Sequence, residues 1–548
     1  MSALSGVGVG RGIAVAKVLR MPEPLAPPSD EPLAADADGE HQRVQTALAE
    51  VAADLSARAA AAGGDAQQVL EAAALMAQDP AILDDVRARL GGGANAEKAT
   101  WDAYAAFRDM LTEMGGYMAE RATDLDDVAQ RVVAQLRGVP APGVPASDEP
   151  FILVARDLAP ADTATLDLEK TLALVTQDGG PTSHTAILAR SKSLPAVVGV
   201  VGALDAMADG QLVIVDAKAG TVVLDPDDAS VTAARAERET RLAAATAPIT
   251  EGALADGTTV PLMANVGSAK DAPGAVALGA EGVGLFRTEF LFLGATSAPT
   301  VEEQTKAYTD VLQAFPGKKV VVRVLDAGAD KPLSFLNDAH EENPALGLRG
   351  IRALRASEQI LRDQLTALAA AQAATEAELY VMAPMIADRE ETEYFVSLGK
   401  ELGLERVGAM AEVPSIAVLA DQVLEVADFV SIGTNDLTQY TMAADRQLGS
   451  VSAMQDPWHP AVLRLVKMLG DAGSSAGKPV GVCGEAAADP GLAVVLVGLG
   501  VTSLSMSASA IADVRAELLT VTLDEAKARA ARALAATSAA AARQAATV

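Results

Sequence analysis

Residues 251–548 repeat one pattern eight times, a short apolar run followed by a helical segment. The runs fall at 260–266, 282–289, 320–326, 379–385, 407–412, 429–434, 480–484 and 503–507. A strand buried on both faces reads as a continuous apolar run, and parallel neighbours need a helical crossover. Eight such units in a region of this size predict a closed (β/α)8 barrel, the TIM barrel.

The preceding half changes character twice. Residues 1–21 read as a strand or two with Gly-rich turns, whose spacing does not fit a dinucleotide loop. After the Pro-rich break 22–32, helical periodicity takes over: Val44, Leu48, Val51 and Leu55, then Val69, Ala73 and Met76, recur at three or four residues. Strand-like runs return at 151–155, 172–176, 196–201, 212–216 and 221–224. The expected organisation is α/β multidomain. A β/α domain is built from 1–21 plus 141–228, with a helical bundle, 22–140, inserted in it. A linker helix within 229–250 leads to the barrel, 251–548. The Ala-rich tail from about Leu523 is expected to form the final helix.

The chain of 548 residues has a formal net charge of −30, which opposes binding to nucleic acid. Its single cysteine, Cys483, cannot form an internal disulfide, and no apolar stretch reaches the roughly 20 residues of a membrane helix. The opening MSALSGVGVGRG lacks the pattern of a secretory signal. The expectation is a cytoplasmic protein without membrane insertion. Residues 21–140 hold 9 basic and 21 acidic residues, a net of −12, which suits either a solvated surface or a face for a basic partner. With so acidic a chain, phosphate chemistry requires a local concentration of arginines.

Functional groups of such barrels project from the carboxyl ends of the strands. Arg287, Arg323, Glu412, Asn435, Asp436 and Cys483 fall at those ends, and Arg349 and Arg446 in the loops that follow. Glu412 and Asp436 lie one β/α unit apart, hence side by side. They are either ligands that leave most of a Mg2+ octahedron open or partners of nearby arginines. The four arginines suit a small, highly anionic substrate. Cys483 is either a buried structural thiol or one activated by its surroundings. His184, in GGPTSHT, enters a helix, where its imidazole either accepts a phosphoryl group or serves in packing. His41, His340 and His459 read as structural or exposed.

These segments resemble the Enzyme I family of the bacterial phosphotransferase system. GGPTSHTAILAR (179–190) is similar to its phosphohistidine motif. GVGLFRTEFLF (282–292), NPALGLRGIR (343–352), AEVPS (411–415), SIGTNDLTQYTMAADR (431–446) and GVCGE (481–485) are similar to its phosphoenolpyruvate-binding barrel. The resemblance implies that His184 takes the phosphoryl group from phosphoenolpyruvate, and that Glu412 and Asp436 hold Mg2+. It further implies that Arg287, Arg323, Arg349, Asn435, Asp436 and Arg446 bind the substrate, while Cys483 protonates the enolate to pyruvate. The carrier protein HPr would then dock on the helical insert near Leu75 and Met76. The β/α domain would swivel between sites, and the chain would be a homodimer through the barrel. The sequence departs from the motif at Pro181, where many members carry Arg, which removes a charge and stiffens the turn. A phosphoenolpyruvate synthase or pyruvate phosphate dikinase would share the domains but needs a large ATP-binding domain, for which 1–140 is too short. A phosphoenolpyruvate-sensing scaffold would need no acid at Cys483.

Overall fold

Eight parallel strands close the second half of the chain into a barrel, each pairing with the next and the last with the first. The structure is a computed structural model. It describes all residues except 1, 11, 24, 32–36, 62–64, 115, 140, 142, 146, 159–161, 163–165, 181–182, 193, 294, 296, 328–332, 334, 337–340, 447 and 548. The chain divides into two compact units, Met1–Arg241 and Leu242–Val548.

In the second unit the strands are β9 (Leu262–Val266), β10 (Val283–Arg287), β11 (Lys319–Arg323), β12 (Glu378–Ala383), β13 (Val407–Ala411), β14 (Val430–Gly433), β15 (Val480–Cys483) and β16 (Ser503–Met506). Each lies within or nearly within its apolar run, which confirms the barrel. Side chains alternate across the pleat. Leu285, Val321, Met382, Met410, Phe429 and Cys483 form an interior cluster, distinct from the larger core between strands and outer helices. Two residues beyond Leu285, Val321 and Met410 in the same inward register stand Arg287, Arg323 and Glu412. The packing register of the barrel therefore aims these polar groups at its carboxyl mouth.

The Ala-rich tail forms two helices, Leu523–Ala535 and Ala539–Thr547, where a single final helix was expected. Ala536–Ser538 interrupt the helix, and Ala542 and Ala546 bury against the barrel core, which anchors the second one.

In the first unit an eight-stranded mixed sheet has the order β1-β8-β7-β3-β4-β5-β6-β2. Its members are β1 (Ser2–Ser5), β2 (Val7–Val9), β3 (Ile13–Arg20), β4 (Phe151–Ala155), β5 (Thr171–Thr176), β6 (Ala196–Val198), β7 (Leu212–Asp216) and β8 (Thr221–Leu224). The central β4 shows the pleat directly. Ile152 and Val154 pack on one face, while Phe151, Leu153 and Ala155 pack on the other with Ala186 and Ala189 of the helix His184–Ser191. Small alanines let that helix lie close to the sheet.

Between β3 and β4 the chain forms α1 (Ala37–Ala61), α2 (Asp65–Met76), α3 (Pro80–Gly91), α4 (Ala96–Met114) and α5 (Gly116–Arg137). They share a core that includes Val44, Leu55, Leu70, Val86, Tyr104 and Val132. Arg131 of α5 is buried between Asp127 (2.8 Å) and Asp162 (3.3 Å). A buried cation between two carboxylates fixes the insert to the segment after β4. The helix Asp228–Thr246 follows β8.

Candidate active site at the barrel mouth

The expected residues of the barrel meet at one end, linked by an alternating chain of charges. Glu289 Oε1 accepts from Arg323 Nη2 at 2.8 Å, and Arg323 Nη1 lies 3.3 Å from Asp326 Oδ2. Arg349 grips Asp326 through Nη2 (2.9 Å) and reaches Asp436 Oδ1 with Nη1 (3.1 Å). Arg446 Nη1 completes the chain at Asp436 Oδ2, 3.3 Å away. Burial disfavours the charge on Arg323 and Arg349, but the surrounding carboxylates outweigh it and hold both firmly protonated. The Asp326 carboxyl is likewise held ionised, because Arg323 and Arg349 outweigh its burial.

Arg287 is different. It ends β10, and among the described residues its guanidinium makes no hydrogen bond or ion pair. Burial, and then the like charge of Arg323, pull its pKa below the usual arginine value. A half-buried guanidinium with no hydrogen-bond partner among the described residues suits an anionic ligand.

Glu412 is the complementary case. It is fully buried; its Oε1 accepts the Met385 N–H at 2.7 Å, and its Oε2 has no partner. Burial first, then Asp436 and Asp326, push its carboxyl up to about 8. Of the two carboxylates, Asp436 makes the arginine ion pairs that spacing left open as an alternative, while Glu412 makes none among the described residues. A Cβ on Gly433 would lie 2.7 Å from Glu412 Oε2, so a glycine is needed there for room. The two-carboxylate donor set and the orphaned oxygen fit Mg2+, a hard cation content with few protein ligands. Among the described residues there is no group of three or more His, Cys, Asp or Glu arranged for a metal.

Cys483 is buried at the end of β15. It accepts from Ser431 Oγ at 3.4 Å and donates to the Ile432 carbonyl at 3.5 Å. Of the two alternatives the sequence left open, burial sets the direction of the thiol's pKa. Burial pushes the thiol up to about 11, against the hydrogen bond from Ser431 and the pull of Arg323 and Arg287. A thiol this weakly acidic stays protonated at neutral pH, which suits a proton donor and not a nucleophile. Asn435 is half-buried at the start of the helix Thr434–Met442, and its amide has no hydrogen bond among the described residues.

His184 lies in the other unit, as the first residue of its helix; its side chain is outside the described residues, as are Pro181 and Thr182. The entry to the helix is well defined around it. Gly179 turns with φ +90°, Ser183 Oγ accepts the Ala186 N–H at 3.3 Å, and Thr185 Oγ1 donates to Asp157 at 2.9 Å. Leu75 on α2 is 72% exposed, whereas Met76 is half-buried against the bundle core. His41 lies within α1, and His459 caps the helix Pro460–Ala476 by accepting the Ala461 N–H at 3.2 Å. His340 is outside the described residues.

Sequence reasoning gave no role to Glu289, Asp326, Tyr440, Met385 and Ser431. Tyr440 follows Asp436 by one helical turn, so spacing alone could have placed it on the same face. Its hydroxyl accepts from Arg349 at 3.1 Å and donates to the Ala345 carbonyl. Met385, with φ +59°, turns its N–H onto Glu412; nothing in the sequence signalled that backbone.

The three segments match, in order, three family models of PEP-utilising enzymes: the N-terminal domain over 5–121, the mobile domain over 147–220 and the PEP-binding domain over 243–523. Relatives narrow that class. A phosphoenolpyruvate-protein phosphotransferase of Streptomyces coelicolor is 54% identical, over 99% of this chain and 98% of its own. One of Bacillus subtilis is 39% identical over 96% of each. The chain belongs to the phosphoenolpyruvate-protein phosphotransferase family. Among the described residues, no helix is long and apolar enough to cross a membrane.

Proposed function

We propose that the protein transfers the phosphoryl group of phosphoenolpyruvate to its own His184 and then to a histidine of the carrier HPr, releasing pyruvate in the cytoplasm. The observation that carries this reading is a pair of groups at one barrel mouth, the Arg287 guanidinium and Glu412 Oε2, that find no hydrogen-bond partner among the described residues. A ligand that is itself anionic and binds with a cation satisfies both, as a phosphorylated carboxylic acid with Mg2+ would.

Phosphoryl transfer depends on positioning and charge stabilisation. Arg287, Arg323 and Arg446 meet the phosphoryl oxygens, while Arg349 steadies the substrate and Asn435 offers its amide. Glu412 and Asp436 would hold Mg2+, which supplies positive charge to the phosphate and carboxylate oxygens. Asp436 is shared between that role and its two arginines, so substrate entry redistributes its partners. His184 accepts the phosphoryl group at the start of its helix, where free N–H groups favour an anion. Cys483 then gives its proton to the enolate. The cycle requires His184 to meet both the barrel mouth and the carrier.

The carrier is read as a protein with a basic face, docking on the acidic bundle around exposed Leu75; Met76, half-buried, contributes less. Assembly as a homodimer through the barrel follows the same resemblance. Exposed Phe290, Leu346, Leu348 and Leu448, in loops after β10, β11 and β14, offer apolar surface for it.

Incubation with ATP, pyruvate and Mg2+ tests the reading against the dikinase and synthase alternative. No phosphoenolpyruvate should form. Its formation without HPr would overturn the proposal.

A further inference from the structure

The thiol of Cys483 is not the deepest polar group of the barrel interior. The β14–β15 register sets Gly433 opposite Cys483 and Ser431 opposite Gly481, so Ser431 lies one inward step below the thiol. Ser431 is buried. It lines an internal cavity of ≈ 10 Å³ with Lys319, Ser503 and Ser505, about one water molecule in size. Lying on the far side of Cys483 from the mouth, it acts on a substrate only through the sulfur.

Two hydrogen bonds order the thiol. The Ser431 hydroxyl donates to Sγ at 3.4 Å, and Sγ donates to the Ile432 carbonyl at 3.5 Å. The first is a donor aimed at the atom that becomes negative when the thiol loses its proton. No other side chain among the described residues hydrogen-bonds this sulfur.

We propose that Ser431 is a positioning residue for proton transfer: its hydroxyl holds the Cys483 thiol in one orientation and stabilises the thiolate that the transfer leaves. This rests on Cys483 being the acid of the proposed function. In the step the S–H bond breaks and the proton goes to the terminal carbon of the three-carbon enolate. The enolate's π pair forms the new C–H bond, and its oxygen becomes the pyruvate carbonyl. The electron pair of the broken S–H bond stays on sulfur, where the Ser431 O–H meets it. Hydrogen bonds to charged groups are worth more than neutral ones, enough for roughly a tenfold effect on the step.

The test uses the full-length protein with phosphoenolpyruvate, excess pyruvate and Mg2+ in D2O, following loss of the pyruvate methyl protons by NMR. Ser431→Ala should slow exchange at saturating pyruvate about tenfold with KM for pyruvate unchanged. Ser431→Thr, which keeps a hydroxyl, should restore most of it, with thermal midpoints checking that both variants fold. Native exchange in Ser431→Ala, alongside lost exchange in Cys483→Ala, would overturn the proposal and leave the acid standing. A threonine variant as slow as the alanine variant would also overturn it. Native exchange in Cys483→Ala would instead remove the acid itself, and the proposal with it.

Discussion

Arg287, whose guanidinium makes no hydrogen bond among the described residues, and Glu412, whose Oε2 has none, give the sharpest expectations. Removing a desolvated, unpaired cation relieves the native state, while the transition state loses a charge-stabilising donor. Arg287→Met should therefore lower kcat/KM for phosphoenolpyruvate by about 10²–10³ without lowering the thermal midpoint. A reduced midpoint with near-native catalysis would mean a structural arginine. For Glu412, burial and the nearby Asp436 and Asp326 raise the carboxyl from 4.5 to about 8. Across that window the native state keeps a proton that the unfolded chain releases, so the metal-free protein loses stability as pH rises. Thermal melts at about pH 5 and about pH 8 check this. Glu412→Gln should gain on the native protein at the higher pH, and the two should converge at the lower. Mg2+ must displace the same proton, so its affinity should climb with pH up to that value.

At the level of strands, the inward register converts packing into function, and around Gly433 it leaves little room. A Cβ on Gly433 would lie 2.6 Å from Met410 Cε and 2.7 Å from Glu412 Oε2. Gly433→Ala should cost about 1–3 kcal/mol in stability, by overpacking. It should also weaken Mg2+ dependence disproportionately, because the displaced group is the carboxylate; denaturant melts and Mg2+ titrations separate the two. The eight barrel strands were legible because burial on both faces writes a parallel strand as an apolar run. The polar residues that close those runs were legible as a set for the same reason. Their pairing was not: Asp326, Arg349 and Asp436 meet across 23 and 87 residues of sequence, which no local pattern encodes. The direction of the Cys483 shift was also illegible, since arginine neighbours can be inferred from strand ends but the burial that outweighs them cannot. The break in the tail helix at Ala536–Ser538 had no Gly or Pro to announce it.

Across the whole chain, the net charge of −30 divides by task. The helical segment carries much of it outward, whereas at the barrel mouth arginines and carboxylates are interleaved so that local charge, not the total, governs ligand binding. Electrostatic docking of a basic carrier is screened by salt over about 10 Å at 0.1 M ionic strength. Phosphotransfer from the protein to HPr should slow as salt rises, and Leu75→Ala should slow it further while labelling from phosphoenolpyruvate persists. Carrier transfer indifferent to both changes would place the docking surface elsewhere. The most direct measurement of the central claim is labelling with 32P-phosphoenolpyruvate and Mg2+, comparing the native chain with His184→Ala. The native protein should take up acid-labile, base-stable label and release pyruvate, and the variant should take up none. Label on the alanine variant would contradict His184 as the carrier of the phosphoryl group.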